Sequence, residues 1–338
     1  MEAIMQKKRF YIWMIILIIS VIILGMIAAA IGPAGISLKE LWKIIIGSNE
    51  MNRVYKTILF KIRIPRIILS YLVGAALATA GVIMQGLIQN PMADPYIVGT
   101  SAGAGLGATI AIVFNLNFKF MGLSTVPLFA FVGAVLAVFL VYQLARQGSK
   151  VPVVHFLLAG MAVGFLLGAL TSLVMVLGIK DHYKIVYWLM GSLAKASWKE
   201  VYIILPYLVT GLFVTLYIAR DLNLILLGEE TAHNMGVNVE QLKRIVLITA
   251  ALLTASAVSV SGVIGFVGLI IPHIVRMITG PDHRRLIPAA SIFGGGFLML
   301  SDTIARTVAA PTEIPVGVIT ALFGGPFFLY QLRKSRKI

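Results

Sequence analysis

The sequence predicts an all-α integral membrane protein that forms one domain over residues 1–338, with about ten transmembrane helices. Of the 338 residues, 59% are hydrophobic and 12% are charged, whereas soluble domains carry about 25% charged residues. A helix that crosses a bilayer needs roughly 20 apolar residues. A chain of this length therefore has room for that number of helices and for little soluble structure.

The basic residues favour a membrane location over a nucleic-acid partner. The formal net charge is +15, but Lys and Arg interrupt the apolar runs instead of clustering in one polar stretch, as a nucleic-acid surface requires. Membrane proteins collect such residues at their cytoplasmic edges, beside anionic lipid. We therefore expect membrane lipid as a partner and no nucleic acid.

The spans follow as ten apolar runs. The first begins after Lys7, Lys8 and Arg9 and resembles a secretory signal, but at about 20 residues it is longer than a signal's apolar region, so we expect an uncleaved helix. The eighth run is short for a span. The ten runs are residues 10–31, 64–88, 97–116, 126–144, 156–177, 201–219, 245–264, 267–278, 287–304 and 316–332.

The chain ends predict the orientation. Basic residues flank the first and last spans, where their bias has most influence, and an even number of spans places both ends on one side. We therefore predict a multi-pass protein of the cytoplasmic membrane with both termini in the cytoplasm. The basic residues that then face outward, such as Arg63 and Arg66, need a separate explanation.

Two runs carry glycine at every fourth position. Small residues at this spacing let helix backbones approach closely in lipid. Packing within one bundle is the simpler interpretation, and a role in lining a pathway or a dimer contact is the alternative. The glycines are Gly99, Gly103 and Gly107 in the third run and Gly160, Gly164 and Gly168 in the fifth.

Several activities lack their sequence signatures. The chain has no G-x-x-x-x-G-K-[ST] loop, so any ATP must be hydrolysed by a partner, and the common hydrolase and metalloprotease motifs are absent. It has no cysteine, which excludes thiolate metal sites and disulfides, and we expect no metal or cofactor in this chain. Gradient-driven transporters usually carry intramembrane carboxylates. Asp302 is the nearest candidate, and we predict that it forms an i,i+4 ion pair with Arg306.

A polar, helix-compatible segment over residues 222–240 separates the sixth and seventh spans. It contains Gly228, Glu229, Glu230 and Ala232 and reaches Gly236, which suits a helix C-terminus. The residues alone allow two interpretations of this segment. The segment is either a solvated connection or a docking helix for a soluble partner.

Ordered motifs from Arg63 to the carboxy terminus resemble the FecCD/BtuC-like permeases, the membrane subunits of ABC importers for iron siderophores, heme and cobalamin. The motifs are RIPR at 63–66, GVIMQG at 81–86, NPMADP at 90–95, GVIGFVGLIIPH at 262–273, DHR at 282–284 and EIPVG at 313–317. The resemblance implies a type II importer permease fold. It also implies a homodimer, two cytoplasmic ATPase subunits that bind ATP and Mg, and an extracytoplasmic substrate-binding protein.

The resemblance also implies roles for particular residues. Arg63, Arg66 and Arg306 match outward-facing arginines that dock the binding protein. Gly228, Glu229, Glu230, Ala232 and Gly236 match the segment that couples to the ATPase. Asn90, Met92, Val153 and Val154 match the cytoplasmic gate.

On this basis the sequence predicts a permease subunit, not an enzyme, that imports an iron siderophore or heme by alternating access. Cobalamin is the alternative cargo within the family. The two valines of the predicted gate replace polar residues of the cobalamin importer, which weakens that assignment slightly. A gradient-driven transporter is the rival class, against which the scarcity of intramembrane acids argues.

Overall fold

The computed structural model describes residues 2–31, 53–120, 123–148 and 150–335. Over these ranges the chain is almost entirely helical. A two-residue antiparallel pair, β1 and β2, is the exception. The elements are α1 Glu2–Ala30, α2 Arg53–Thr57, a π-helical turn Ile58–Arg63, α3 Ile64–Ile88, a 3-10 turn Pro95–Val98, α4 Thr100–Val113, β1 Lys119–Phe120, β2 Leu123–Ser124, α5 Thr125–Ala145, α6 Val153–Leu177, a 3-10 turn Ile179–Asp181, α7 His182–Leu189, α8 Trp198–Tyr217, α9 Ala219–Ile225, α10 Glu229–Asn234, α11 Val239–Ser261, α12 Val267–Thr279, α13 His283–Ala305 and α14 Val316–Ser335.

Ten apolar helices form the membrane body. Within the described ranges, seven are long and apolar enough to cross a membrane and three shorter apolar ones accompany them. The long helices are α1, α3, α5, α6, α8, α11 and α13, and the shorter ones are α4, α12 and α14. The predicted all-α membrane fold is confirmed.

Two of the short helices, α4 and α12, begin directly after a residue whose backbone leaves the helical conformation. Before α4, Asp94 Oδ1 accepts a hydrogen bond from the Tyr96 N–H and starts a separate 3-10 turn, and Gly99 then takes a φ of +80°. The predicted third span is therefore divided in two. Before α12, Phe266 has a φ of +70°. The short α7 between the fifth and sixth spans was not predicted, because its eight residues lie in a polar connection without a long apolar run.

Helix α3 lies at the centre of the bundle. Of its apolar stretch, 83% is buried inside the protein, more than for any other long helix described. Two glycines allow it to meet its neighbours backbone to backbone. A Cβ on Gly74 would lie 2.3 Å from the Gly294 carbonyl oxygen of α13, and one on Gly81 would lie 1.9 Å from the Gly268 carbonyl oxygen of α12. Close backbone approach of this kind replaces the hydrophobic effect as the source of packing between helices in lipid.

Long-range contacts define two faces of the bundle. The beginning of α1 meets the beginning of α13, where the Arg285 guanidinium lies over the Phe10 ring, and Gln331 near the end of α14 contacts His273 of α12. The beginning of α1 and the end of α14 therefore lie on one face, which we name the terminal face. The end of α1 contacts Arg306, which follows α13, on the opposite face.

Candidate functional site

On the opposite face, one buried arginine joins three segments. Arg66 of α3 donates from Nε and Nη2 to the Asp302 carboxylate, at 2.9 Å for Nη2 to Oδ1, and from Nη1 to Glu313 at 3.0 Å. Arg66 is 8% exposed and Asp302 is 3% exposed. Bidentate pairing of this kind is both strong and geometrically specific. The predicted ion pair between Asp302 and Arg306 is therefore wrong, because the carboxylate faces α3 across the helix interface.

The other two predicted docking arginines hold the end of α1. Arg63 Nη1 donates to the carbonyl oxygens of Ala29, at 2.6 Å, and Ala30, at 3.0 Å, while Arg306 donates to the carbonyl of Ala28. The last carbonyls of a helix lack partners within the helix and carry a partial negative charge. The two guanidinium groups therefore act as a cap for α1.

All three arginines that the resemblance assigns to docking are buried in this structure. Arg63 and Arg306 are each 4% exposed. Arg63 and Arg306 are engaged with the end of α1, and Arg66 is engaged with two carboxylates. One nitrogen of each, Arg63 Nη2 and Arg306 Nε, has no hydrogen-bond partner among the described residues. Docking at these positions would require the capping contacts to rearrange.

On the terminal face, the predicted coupling segment forms the short helix α10. Gly228 before it has a φ of +107° and Gly236 after it has a φ of +90°, both in the region that favours glycine. The Val237 N–H donates to Ala232 and the Gly236 N–H donates to His233, which is a Schellman ending. Within α10, the Ala232 side chain is fully buried, whereas Glu229 and Glu230 are exposed.

A buried lysine ties this segment to the helix that follows. Lys243 Nζ lies 2.8 Å from Glu229 Oε2 and 3.1 Å from Glu240 Oε1. The other oxygen of Glu240 accepts a hydrogen bond from the Val151 N–H at 3.0 Å. We name this chain of contacts, Glu229, Lys243, Glu240 and Val151, the lysine link.

The lysine link ends beside one half of the predicted gate. Val153 and Val154 begin α6 just after Val151, and Val154 is 64% exposed. The other half, Asn90 and Met92, follows α3 on the same face, where Asn90 Oδ1 accepts from the Met92 N–H at 2.8 Å.

Sequence reasoning had missed the lysine link. The Glu240 and Lys243 pair was readable, because an i,i+3 spacing at a helix start brings two side chains together. The contact of Lys243 with Glu229 crosses a turn, and the hydrogen bond from the Val151 N–H to Glu240 joins residues 89 positions apart, so local spacing does not reveal either of them.

The glycine stripes have two different environments. A Cβ on Gly103 would lie 2.3 Å from the Gly133 carbonyl oxygen, one on Gly107 would lie 2.1 Å from that of Phe129, and one on Gly160 would lie 2.2 Å from that of Ile97. These three permit close packing, and Gly99 makes ordinary side-chain contacts. Gly164 and Gly168 have no atom within 4 Å of an added Cβ, so packing within the described chain does not explain them.

A cavity of about 1020 Å³ opens on the opposite face between α4, α5, α7 and the end of α11. Its lining combines the hydroxyls of Ser192, Ser259 and Ser261 with the aromatic rings of Tyr187 and Trp188. Across the part of the chain that the structure describes, no group of three His, Asp or Glu side chains is placed to hold a metal ion. Lys195 and Glu200 also line the cavity, so it offers a large solute hydroxyl, aromatic and charged contacts.

The sequence matches the profile of the FecCD transport family over residues 16–334. The chain belongs to this family. The FecCD chain is 49% identical, over 80% of its length and 72% of the relative's, to the cobalamin import system permease protein BtuC of Halobacterium salinarum. It is 39% identical, over 95% of both chains, to the hemin transport system permease protein HmuU of Yersinia pestis.

Solved structures agree with this membership. The FecCD chain superimposes with a TM-score of 0.83 and 30% identity on a metal-chelate type ABC transporter in an inward-facing conformation, covering 94% of this chain and 97% of that one. A chain from PsaBC of Streptococcus pneumoniae shares the fold, with a TM-score of 0.56 and 15% identity over 86% of this chain and 94% of that one. The resemblance deduced from the motifs is confirmed.

Proposed function

We propose that this chain is the permease subunit of an ATP-driven importer that moves a metal chelate across the cytoplasmic membrane. Two copies form the pathway, two ATPase subunits bind ATP and Mg on the terminal face, and a substrate-binding protein delivers cargo to the opposite face. The permease does no chemistry itself. Its membership in a family of ABC importer permeases supports this assignment.

The lysine link is the observation that carries the proposed mechanism. It connects the segment that would meet an ATPase, through Lys243 and Glu240, to the backbone just before α6. A displacement of α10 by the ATPase would therefore pull on the start of α6, where Val153 and Val154 lie. The gate is thus opened and closed by motion transmitted along hydrogen bonds of about 3 Å.

The cargo has two candidates. An iron chelate, either a siderophore or heme, is the first, and the hemin and ferric hydroxamate permeases among the relatives support it. Cobalamin is the second, and the 49% identity to a cobalamin permease favours it. The exposed face of α6 that carries Gly164 and Gly168 is our candidate for the pathway wall, because small side chains leave space for a bulky chelate.

Arg63, Arg66 and Arg306 form the proposed dock for the binding protein. Since Arg63 and Arg306 are engaged with α1, an arriving carboxylate must compete for them. Amide hydrogen exchange near Ala28, Ala29 and Ala30 should therefore rise when the loaded binding protein is added. Unchanged exchange in a complex that forms normally would contradict docking at these arginines.

A gradient-driven transporter is the rival function. It needs a carboxylate that changes protonation within the membrane, and Asp302 is instead paired on both oxygens with Arg66. A gradient-driven transporter would lose uptake when the proton or sodium gradient is dissipated, and its uptake would not depend on ATP.

Uptake measurements in proteoliposomes test the proposal. Vesicles would contain this chain with its ATPase, and labelled ferric siderophore, hemin and cobalamin would be supplied with the binding protein. We expect one ligand to accumulate only when ATP and both partners are present, and ionophores to have no effect. Accumulation without the ATPase would overturn the proposal and favour the rival.

A further inference from the structure

A second cavity, of about 570 Å³, lies on the terminal face between the beginning of α1 and the junction of α12 with α13. Arg9, Phe10 and Trp13 of α1 line one side, and Thr279 and Arg285 line the other. Among the described residues of its lining, the two arginines are the only titratable side chains. The cavity is therefore positively charged, and it is separate from the lysine link and from the arginines of the opposite face.

The two arginines have no carboxylate partner among the described residues. Neither Arg9 nor Arg285 forms an ion pair there. The acid nearest to Arg285 in the sequence, Asp282, instead uses its Oδ1 to accept from Asn223 Nδ2 at 2.7 Å and from the Arg284 N–H at 3.0 Å.

One of the arginines is held in position by a ring. The Arg285 guanidinium carbon lies 5.7 Å from the centroid of the Phe10 ring, a cation–π contact. This contact fixes the planar group at the cavity wall but leaves its N–H donors available. A guanidinium matches a phosphate with two parallel hydrogen bonds, so the cavity suits a phosphate group.

The surroundings indicate where the phosphate comes from. Ile278, which also lines the cavity, is 52% exposed, and Ile12 and Ile16 of α1 are 58% and 57% exposed. The cavity therefore borders the exposed apolar surface of α1, which would face lipid. Trp13 stands at the boundary, the position that tryptophan favours in membrane proteins. A molecule bound here would have its charged group in the cavity and hydrocarbon along α1.

We propose that this cavity binds the phosphate headgroup of an anionic phospholipid between Arg9 and Arg285. Basic pockets between transmembrane helices are known to accept such headgroups. The lipid adds a contact between α1 and the rest of the bundle. Of the seven long spans α1 is the least buried, with 6% of its apolar stretch inside the protein. The lipid chains lie against α1 while the phosphate bridges it to α13.

Native mass spectrometry of the full chain from nanodiscs tests the site. The discs would contain phosphatidylcholine alone or with phosphatidylglycerol, and retained lipids would be counted per chain. The test variant is R9Q/R285Q. The matched control is R146Q/R220Q, which removes two exposed arginines elsewhere and makes the same change in net charge.

We expect the wild-type chain and the control to retain phosphatidylglycerol selectively and the test variant to lose roughly tenfold in affinity for it, as expected for lost charge-assisted hydrogen bonds. Equal retention by the test variant and the control would overturn the proposal, as would equal retention of phosphatidylcholine. Should R9Q/R285Q fail to fold, R9Q alone, at an exposed position, gives the same comparison. Displacement of the lipid by millimolar inorganic phosphate would assign the cavity to free phosphate and overturn the lipid.

Discussion

Two buried cations hold the two faces of this bundle in different ways. On the opposite face, Arg66 is enclosed with Asp302, and their side chains are 9% and 4% exposed. On the terminal face, Lys243 is equally buried, with a side-chain exposure of 5%, but its partner Glu229 is 48% exposed. Each cation contacts two carboxylates, but those of Arg66 lie 236 and 247 residues away, whereas those of Lys243 lie 14 and 3 residues away.

The difference teaches which network can move. An arginine in bidentate contact with a dry carboxylate cannot be separated without leaving a buried charge, which is costly. A lysine whose partner lies in water can exchange that partner for solvent or for a protein surface at little cost. We infer that the arginine network is a fixed part of the scaffold and that the lysine link is the part that responds to a partner.

Asp302→Asn should give the largest effect. It removes the charge opposite Arg66 and leaves a buried guanidinium without full compensation, so the free energy of unfolding should fall by about 3–5 kcal/mol. Denaturant unfolding of the detergent-solubilised chain measures this. If the loss is no greater than for the same substitution at Asp181, whose side chain is 21% exposed, the arginine network is not a fixed scaffold.

Asp94→Asn tests a carboxylate that has no cation beside it among the described residues. Burial raises the pKa of Asp94 from 3.8 to about 6, so between these values the folded chain binds more protons than the unfolded chain. Stability therefore falls as pH rises through that window, and the penalty persists at neutral pH.

Asparagine cannot ionise but can still accept the bond from Tyr96 that starts the 3-10 turn. The variant should be more stable than wild type at pH 7, by on the order of 2 kcal/mol, and equal to it near pH 4. Melting temperatures measured across this range would test it. A difference independent of pH would show that Asp94 is already neutralised by a partner.

Lys243→Met should separate stability from coupling. Methionine fills a similar volume, and Glu229 can be hydrated, so we expect a loss of about 1–3 kcal/mol for the charge-assisted bonds. Stimulation of the ATPase by the loaded binding protein should fall much further, while assembly with the ATPase persists. Lys184→Met, at a side chain that is 71% exposed, is the control and should keep full stimulation. Full stimulation in Lys243→Met would remove the lysine link from the mechanism.

Asp181→Asn should give the smallest effect. Asp181 pairs with Lys184 at 2.7 Å across one helical turn, and surface pairs of this kind contribute about 0–1 kcal/mol. The unfolding free energy of Asp181→Asn, measured in the same way, gives the reference value against which the loss in Asp302→Asn is judged. A loss near that of Asp302→Asn would mean that burial does not rank these ion pairs.

The sequence by itself determined the class of fold and the family. Apolar length is a sum over neighbouring residues, so ten helices could be read from the chain without any tertiary contact. The segment around Gly228 and Gly236 was readable for a similar reason, because helix endings depend on local backbone geometry. The motifs that identified the family are likewise short and continuous.

Only the tertiary structure decided which charged groups meet. Asp302 lies four residues from Arg306 but pairs with Arg66, 236 residues away, because the packing of α3 against α13 sets the partner. Arg63 and Arg306, which the resemblance assigns to docking, cap α1, and Lys243 reaches Glu229 across a turn. Local spacing gives the candidates for an ion pair, and the three-dimensional packing of the helices, together with the cost of burying an unpaired charge, chooses between them.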